Sequence, residues 1–468
     1  MRYVSTRDNS KEYSFEDVFI KGLADDGGLY VPTSLKKFSS DKLSKLKNLN
    51  YNDLSTEIIN QFSSDFISKD DLSSLIKKSY STFREKEVVK ISNIGDLKLL
   101  ELFHGPTLAF KDVAMQFIGN LYEYYLSKNH KKINIVVATS GDTGAAAIDA
   151  IKGKSNLNIF VLHPNNRISP VQRKLMTTVE DENVFNIAID GNFDDCQNIV
   201  KQMFSDLDFS KSINMSGVNS INWARIIAQA VYYFYSYFKL GKEIISFSVP
   251  TGNFGDVFAG YLAKKMGLPI DKLIVATNEN DILHRAISKG NYVSKEVKET
   301  LSPSMDIQLA SNFERLIYYV NNSDSRKTVD IMKKVKHNSY QIEKKNLDVI
   351  QKDFLSESCN EQETLEIIKK NYEENNIILD PHTAVGVAAA KKLSFNDSVV
   401  LSTAHPCKFP DAIKNAINKH EKLPDELKHV LDKDENFQVL KNNTEEVKNF
   451  IKNKVWVLTW ANHILPTT

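Results

Sequence analysis

Three stretches of the chain repeat one grammar: an apolar run, a short loop rich in small residues, then a helix-forming stretch. INIVVAT (133–139) passes through SGDTG (140–144) into AAAIDAIKG. IISFSVP (244–250) passes through TGNFGD (251–256) into VFAGYLAKKMG. SVVLS (398–402) passes through TAHPCKF (403–409) into PDAIKNAINKH. The runs are mostly apolar rather than strictly alternating, as strands covered on both faces must be, and two further runs, NIFVLHP and KLIVATN, have the same character. Strands separated by helices cannot pair as hairpins, so the pattern predicts a parallel α/β architecture.

Ligands of such sheets bind beyond the carboxyl ends of the strands. Each loop above occupies that place, and glycine lets the backbone approach a ligand while the first helical amides point outward. TGNFGD is therefore a candidate phosphate cradle, and SGDTG a second anion site for a phosphate or a carboxylate. A tight turn with no ligand is the plain alternative for either loop. Signatures of other chemistries are missing: the chain has no GxGxxG after a strand, no Walker loop, no HExxH and no GxSxG.

HGPTLAFKDVAMQF (104–117) adds a lysine. Apolar residues at Phe110, Val113, Ala114, Phe117, Ile118 and Leu121 mark one helix face, and Lys111 stands at its start. Burial or a positive helix terminus lowers a lysine's pKa, and such an amine forms a Schiff base with an aldehyde and later acts as a base. The alternative is a snorkelling surface lysine beside Asp112. A reactive lysine together with a phosphate cradle is what pyridoxal phosphate requires.

Other features set limits. A net charge of +1 gives no reason to expect nucleic acid or an anionic membrane as partner. Cys196, Cys359 and Cys407 are odd in number and far apart, which fits a reducing cytosol rather than a disulfide framework or a metal knuckle. The N-terminus has no apolar run behind its arginine, so no export signal is expected. IIAQAVYYFYSYF (226–238) is too short to span a bilayer and reads as a buried, aromatic core helix. DGGLYVP (26–32) reads as a turn into a strand, KLLELF (98–103) as a strand, and the charged region 320–375 as helical.

In these motifs and their order the sequence resembles the threonine synthase family, in the longer type found in bacteria and fungi. HGPTLAFKD, TSGDTG, PTGNFGD, LSPSMDI with SNFER, LDPHTAVG and TAHPCKF carry the resemblance, and STRDNSKEYSFEDVFIKGLADDGGLYVP is similar to the family's N-terminal signature. The likeness runs from about residue 3 to about 420.

The resemblance implies a type II pyridoxal-phosphate fold, tryptophan synthase β-like, with two parallel-sheet α/β domains and an added N-terminal domain. The expected division is an N-terminal domain at 1–90, a catalytic core at 91–420 with a smaller subdomain inserted at about 120–235, and a helical tail at 421–468. The implied reaction converts O-phospho-L-homoserine and water into L-threonine and phosphate, in a cytoplasmic monomer or homodimer. Lys111 matches the lysine that holds pyridoxal 5'-phosphate. Gly252, Asn253, Phe254, Gly255 and Asp256 match the loop around the cofactor phosphate, and Thr403 the hydroxyl facing the pyridine nitrogen. Ser140, Asp142 and Thr143 match the loop over the substrate carboxylate and the cofactor's phenolic edge. Ser220, Asn222, Arg225, His405 and Lys408 are candidates for the substrate, chiefly its phosphate. No metal is expected.

Some readings stay open. Cys407 is a thiolate nucleophile or a small packing residue; His382 touches substrate or serves helix capping and packing; Arg173 assists a phosphate or sits in water. The tail WVLTWANHILPTT, with Trp456 and Trp460, packs on the body, makes a subunit contact or is a non-native extension. Two other functions compete. One is a different enzyme of the same fold, such as a serine/threonine dehydratase or a cysteine synthase, which needs no second phosphate site. The other is a cofactor-free protein that binds a phosphorylated ligand.

Overall fold

Parallel pairing of the apolar runs builds two separate sheets in a computed structural model that describes residues 1–218 and 220–464, with 456–464 by backbone alone. The side chains of Trp456 and Trp460, and residues 465–468, lie outside the described residues. The chain divides into two units: Met1–Phe117 with Ser220–Lys422, and Ile118–Asn219 with Leu423–Thr468.

The first unit holds a six-stranded sheet in the order Phe354–Ser358, Ile270–Thr277, Ile245–Pro250, Val399–Ser402, Leu97–Glu101, Lys90–Ile94. All pairings are parallel except the last hairpin. Val400 lies opposite both Leu99 and Ser248, so three strands end together. The loops that follow them, 102–110, 251–254 and 403–405, therefore leave from one edge of the sheet. The four residues Val399–Ser402 are all buried, as the uninterrupted apolar run requires.

The region 320–375 departs from the helical expectation. It does hold helices at Ser325–Lys336, Lys344–Asp353 and Glu361–Asn375, but Phe354–Ser358 is the edge strand, in register with Leu273–Thr277. FLSES has little periodicity of its own, and its conformation comes from the backbone ladder of its neighbour. The expected aromatic core helix is Trp223–Leu240, buried at every position from Trp223 to Ser236 and closed by Gly241 in the left-handed conformation. The expected turn 26–29 leads into Tyr30–Pro32, which pairs antiparallel with Tyr3–Ser5.

The second unit has an all-parallel five-stranded sheet in the order Gln438–Lys441, Val184–Asp190, Leu157–Pro164, Ile133–Ala138, Met215–Ser216. The stretch 421–468, expected as a helical tail, thus contributes a strand before its helix Thr444–Ile464. Its Leu440, Val447 and Ile451 pack with Phe160, Ile187, Ile189 and Met203 in one core cluster, because the strand alone would leave a sheet edge and a face uncovered. Arg173 makes a two-pronged ion pair with Glu435 (2.8 and 2.9 Å), so its fork is taken. No described helix is long and apolar enough to cross a membrane.

One prediction concerns this second core. Burial pushes His163 down to about 4, so it folds neutral while the unfolded chain binds a proton below about 6.5. Stability from this residue is complete above pH 6.5 and is lost as pH falls toward 4, by at most about 3 kcal/mol. The denaturation midpoint of wild type should therefore fall more steeply between pH 7 and 4.5 than that of His163→Phe.

Candidate active site

The lysine loop is folded around one carboxylate. Thr107 donates its amide (2.8 Å) and hydroxyl (2.6 Å) to Asp112, and Gly105 passes so close that a Cβ there would lie 2.4 Å from the Asp112 Cβ. Leu108, fully buried, takes φ = 64° to complete the turn. The loop is then stitched to the neighbouring one: Phe110 N–H donates to the Thr403 carbonyl (2.8 Å), and His405 N–H to that of Leu108 (3.0 Å). The helix Lys111–Asn129 starts there. Lys111 is buried, 8% exposed, and its Nζ donates to Ser304 Oγ at 3.2 Å. It is not a snorkelling surface lysine.

The TGNFGD loop is an open nest of amides. Phe254 stands at φ = 67°, and the helix Gly255–Lys265 begins with no side-chain cap. Among the described residues, the N–H groups of Gly252 through Asp256 donate to no acceptor. A Cβ on Gly252 would come within 2.9 Å of the Ser304 carbonyl oxygen, so glycine is required by close approach. Asn253 Nδ2 donates to Ser220 Oγ (2.6 Å), and Asn312 Nδ2 to the carbonyls of Ser220 (3.1 Å) and Asn253 (3.2 Å). Unused donors at a helix N-terminus suit an anion without any cation in the loop, which is the donor set a phosphate monoester needs. Ser304 joins this nest to Lys111, since its carbonyl abuts Gly252 and its hydroxyl meets the amine.

The other expected residues divide by what already holds them. Thr403 is 5% exposed, with its amide donating to Thr383 Oγ1 (3.3 Å) and its carbonyl taken by Phe110. Lys408 is fully buried, and its Nζ donates to the Thr107 carbonyl (3.0 Å). His405 is pushed down to about 4 by burial, and its Nδ1 accepts from Cys407 N–H (3.3 Å). Burial pushes the Cys407 thiol up to about 12, which removes the thiolate reading and leaves the packing one.

Asn222 has a structural role. Its Oδ1 caps Ala224 N–H (3.0 Å) at the head of the helix Trp223–Leu240, and its Nδ2 donates to the Phe19 carbonyl (2.9 Å). Asp256 turns its carboxylate to that same helix, accepting from Tyr232 (2.5 Å) and Tyr233 (3.0 Å), and burial raises it to about 6. Both hydroxyls meet Oδ1, while Oδ2 is buried without a hydrogen-bond partner among the described residues and the amide is left to the nest. Arg225 is different: it is 4% exposed, its guanidinium meets no acceptor among the described residues, and burial lowers it to about 10. It is a desolvated cation still charged at neutral pH.

In the second unit, Thr139 Oγ1 accepts from the amides of Gly141 (3.0 Å) and Gly144 (2.9 Å), which shapes the loop carrying Ser140, Asp142 and Thr143. Gln172 Nε2 donates to Asp142 at 2.8 Å.

Four residues around the nest had no role in the sequence reading: Ser304, Asn312, Arg315 and Asp380. The first three sit in LSPSMDI and SNFER, and the last opens the helix of LDPHTAVG, so the family motifs were their only signal. Arg315 is fully buried, stacks over Trp223 at 5.4 Å, and bonds the carbonyls of Tyr30 (3.0 Å) and Ile221 (2.6 Å) as well as the Asn312 side chain. It ties the N-terminal strand pair, the 220 loop and the nest into one piece.

Comparison with known proteins gives a consistent pattern. The family profile "Threonine synthase N terminus" matches residues 2–80, "Pyridoxal-phosphate dependent enzyme" matches 95–403, and "Threonine synthase, C-terminal" matches 383–451, past the point near 420 where the motifs end. The threonine synthase of Saccharomyces cerevisiae is 48% identical over 89% of this chain and 89% of its own length. That of Pseudomonas aeruginosa is 43% identical over 96% and 98%. The crystal structure of pyridoxal-phosphate-bound threonine synthase from Brucella melitensis superposes with a TM-score of 0.94 at 43% identity, covering 97% of this chain and 99% of that one. The yeast structure gives 0.92 at 44% identity, covering 97% and 98%.

Removing the fork of Arg315 tests the clamp it makes. Arg315→Lys keeps the charge but cannot reach three acceptors at once, and should cost about 3 kcal/mol in chemical denaturation. A loss under about 1 kcal/mol would mean that the three bonds are dispensable.

Proposed function

The chain belongs to the threonine synthase family, and on that footing we infer that it converts O-phospho-L-homoserine and water into L-threonine and phosphate, with pyridoxal phosphate as its cofactor. One observation carries the reading at the level of this chain. The buried Lys111 amine and the unused amides of 252–256 meet at a single residue, Ser304. An aldehyde-reactive amine and a phosphate nest joined in this way fit a cofactor bearing both groups.

Bound pyridoxal phosphate supplies an electron sink that acidifies the carbon-bound protons of an attached amino acid. The chain's own residues do the rest. Lys111 Nζ holds the aldehyde end, and the amides of Gly252, Asn253, Phe254, Gly255 and Asp256 hold the phosphate. Thr403 presents a neutral hydroxyl to the pyridine nitrogen, so no carboxylate there stabilises a ring proton. Once released as a free amine, Lys111 accepts the first proton from the substrate.

The substrate's phosphate gains charge as its C–O bond breaks, so it needs a cation placed beforehand. Arg225 meets that need, because a buried guanidinium with no acceptor among the described residues binds an oxyanion at no cost of breaking bonds to them. Lys408 adds a second buried cation on the 403 loop, beside His405, and Ser220 anchors Asn253 of the nest. Asn222 and Asp256 also hold the framework together, Asn222 through Ala224 and Phe19 and Asp256 Oδ1 through Tyr232 and Tyr233. On its motif alone, the loop with Ser140, Asp142 and Thr143 takes the substrate carboxylate. Three buried thiols without disulfides support a reducing, cytoplasmic setting.

Incubation of the purified protein with O-phospho-L-homoserine should release threonine and phosphate in equal amounts; a dehydratase would instead release ammonia and a 2-oxo acid. Lys111→Ala should lose turnover by at least about 1,000-fold. Gly252→Ala, whose new Cβ meets the Ser304 carbonyl, should weaken cofactor binding about tenfold or more in an absorbance titration. Arg225→Ala should lower kcat/KM for phosphohomoserine by about 100-fold while cofactor affinity stays within about threefold; loss of cofactor instead would assign Arg225 to the cofactor phosphate.

A further inference from the structure

Ser304 is 193 residues from Lys111 in the chain, yet its hydroxyl accepts from the lysine amine at 3.2 Å. It sits on the short 3-10 turn Pro303–Met305. The turn is held from behind by a buried imidazole: Ser304 N–H donates to His382 Nε2 at 3.2 Å. His382, 3% exposed, in turn meets Asp380 Oδ1 through Nδ1 at 2.9 Å. A backbone N–H can only donate, so Nε2 is an acceptor and the ring proton sits on Nδ1, where the Asp380 carboxylate accepts it.

Asp380 is 1% exposed and already caps the helix Pro381–Lys392, accepting from the amide of His382 (3.0 Å) and the hydroxyl of Thr383. That hydroxyl accepts the Thr403 amide (3.3 Å). One buried carboxylate therefore fixes a helix end, an imidazole and the loop stitched to the lysine. Helix capping alone needs no imidazole at 382. The ring's free nitrogen is spent on Ser304, which belongs to neither that helix nor its cap.

We propose that Ser304 is a further catalytic residue that aims the Lys111 amine, and that the Asp380–His382 pair positions it. The proposal rests on the assignment of Lys111 above. Accepting one N–H of the amine restricts its rotation and leaves the lone pair directed at the group it must attack or deprotonate. His382 works through orientation and not as a proton relay, because its contact is to a backbone amide that passes no proton on. In cofactor capture the amine nitrogen forms its bond to the aldehyde carbon, and the aldehyde oxygen leaves as water with the two amine protons. Aim matters directly to that step.

The test uses the full chain with Ser304→Ala, His382→Gln, His382→Leu and the double variant Ser304→Ala/His382→Leu, each checked by thermal melting. Four quantities are read: the kcat and KM of the loaded enzyme for phosphohomoserine, and the rate and Kd with which cofactor-free protein captures pyridoxal phosphate, followed by cofactor absorbance. Ser304→Ala should lower kcat and the capture rate by about 10- to 100-fold, with KM and cofactor Kd within about threefold. His382→Leu should match it. His382→Gln, which offers an amide oxygen to the Ser304 N–H, should retain at least about one third of both rates. In the double variant the losses should not multiply, because one residue acts through the other.

Wild-type rates in Ser304→Ala, equal damage from Gln and Leu, or multiplying losses would each overturn the proposal. If His382→Leu fails to fold, capture by Ser304→Ala alone decides. A wild type that captures cofactor but makes no threonine would sink the activity reading and leave the capture comparison valid.

Discussion

Two backbone hydrogen bonds, Phe110 to Thr403 and His405 to Leu108, hold the lysine loop against the loop that follows the central strand. Parallel pairing of Leu97–Glu101 with Val399–Ser402 brings the two loops to one edge, but pairing alone leaves them free to diverge. The stitch removes that freedom. It sets where the helix Lys111–Asn129 begins, and with it the direction in which the first side chain leaves the helix. Ser304, the amide nest and Thr403 can then be placed relative to a fixed amine. A site of this kind tolerates little slack, since displacement of about 1 Å costs on the order of 100-fold in rate.

Two buried arginines show how the same chemistry divides between framework and ligand. Burial lowers both, Arg315 to about 9 and Arg225 to about 10. Arg315 spends its donors on two carbonyls and an amide oxygen, and rests on Trp223 and Phe258, so its desolvation is offset inside the fold. Arg225 makes no such bonds among the described residues. Its charged neighbour, Asp256, takes two tyrosine hydroxyls on Oδ1 and is itself raised to about 6 by burial. A cation kept in that condition is stabilised when an anion arrives, which is a property of ligand-ready groups and not of structural ones.

Much of this was legible in the residues. The strand–loop–helix grammar located the sheets, the glycine loop and the buried core helix, because burial on both faces and helical periodicity are local properties. The lysine was legible as chemistry only beside the phosphate loop and the family motifs. What stayed hidden is non-local. Nothing in the residues around 304 or 382 says that they meet each other and Lys111. The capping role of Asn222, whose side-chain oxygen takes the Ala224 amide at the head of the helix that carries Arg225, was equally hidden. Strand Phe354–Ser358 was masked by charged helices on either side, and Gln438–Lys441 by a polar surrounding, since an edge strand takes its shape from its neighbour's ladder.

The masked strand also explains a residue that looks misplaced. Leu108 and Phe254 are fully buried, non-glycine and at φ above 60°, and one stands in each of the two loops that make the site. Each conformation costs about 1–2 kcal/mol for an L-residue, and glycine would remove the cost. Phe254 instead has a ring, packed against Phe313 at 5.1 Å and Phe354 of the edge strand at 5.6 Å. Glycine would permit the turn and many others, whereas a ring wedged between two others permits only this one. The turn leads directly into the helix Gly255–Lys265, and the amides of 252–256 around it donate to no acceptor among the described residues. Strain held by aromatic packing thus replaces flexibility with a single preformed geometry, and preformed donors need no reorganisation when charge arrives. The glycines at 252 and 255 serve a different need: a Cβ at 252 would meet the Ser304 carbonyl at 2.9 Å, and one at 255 would meet Asn312 at 3.2 Å.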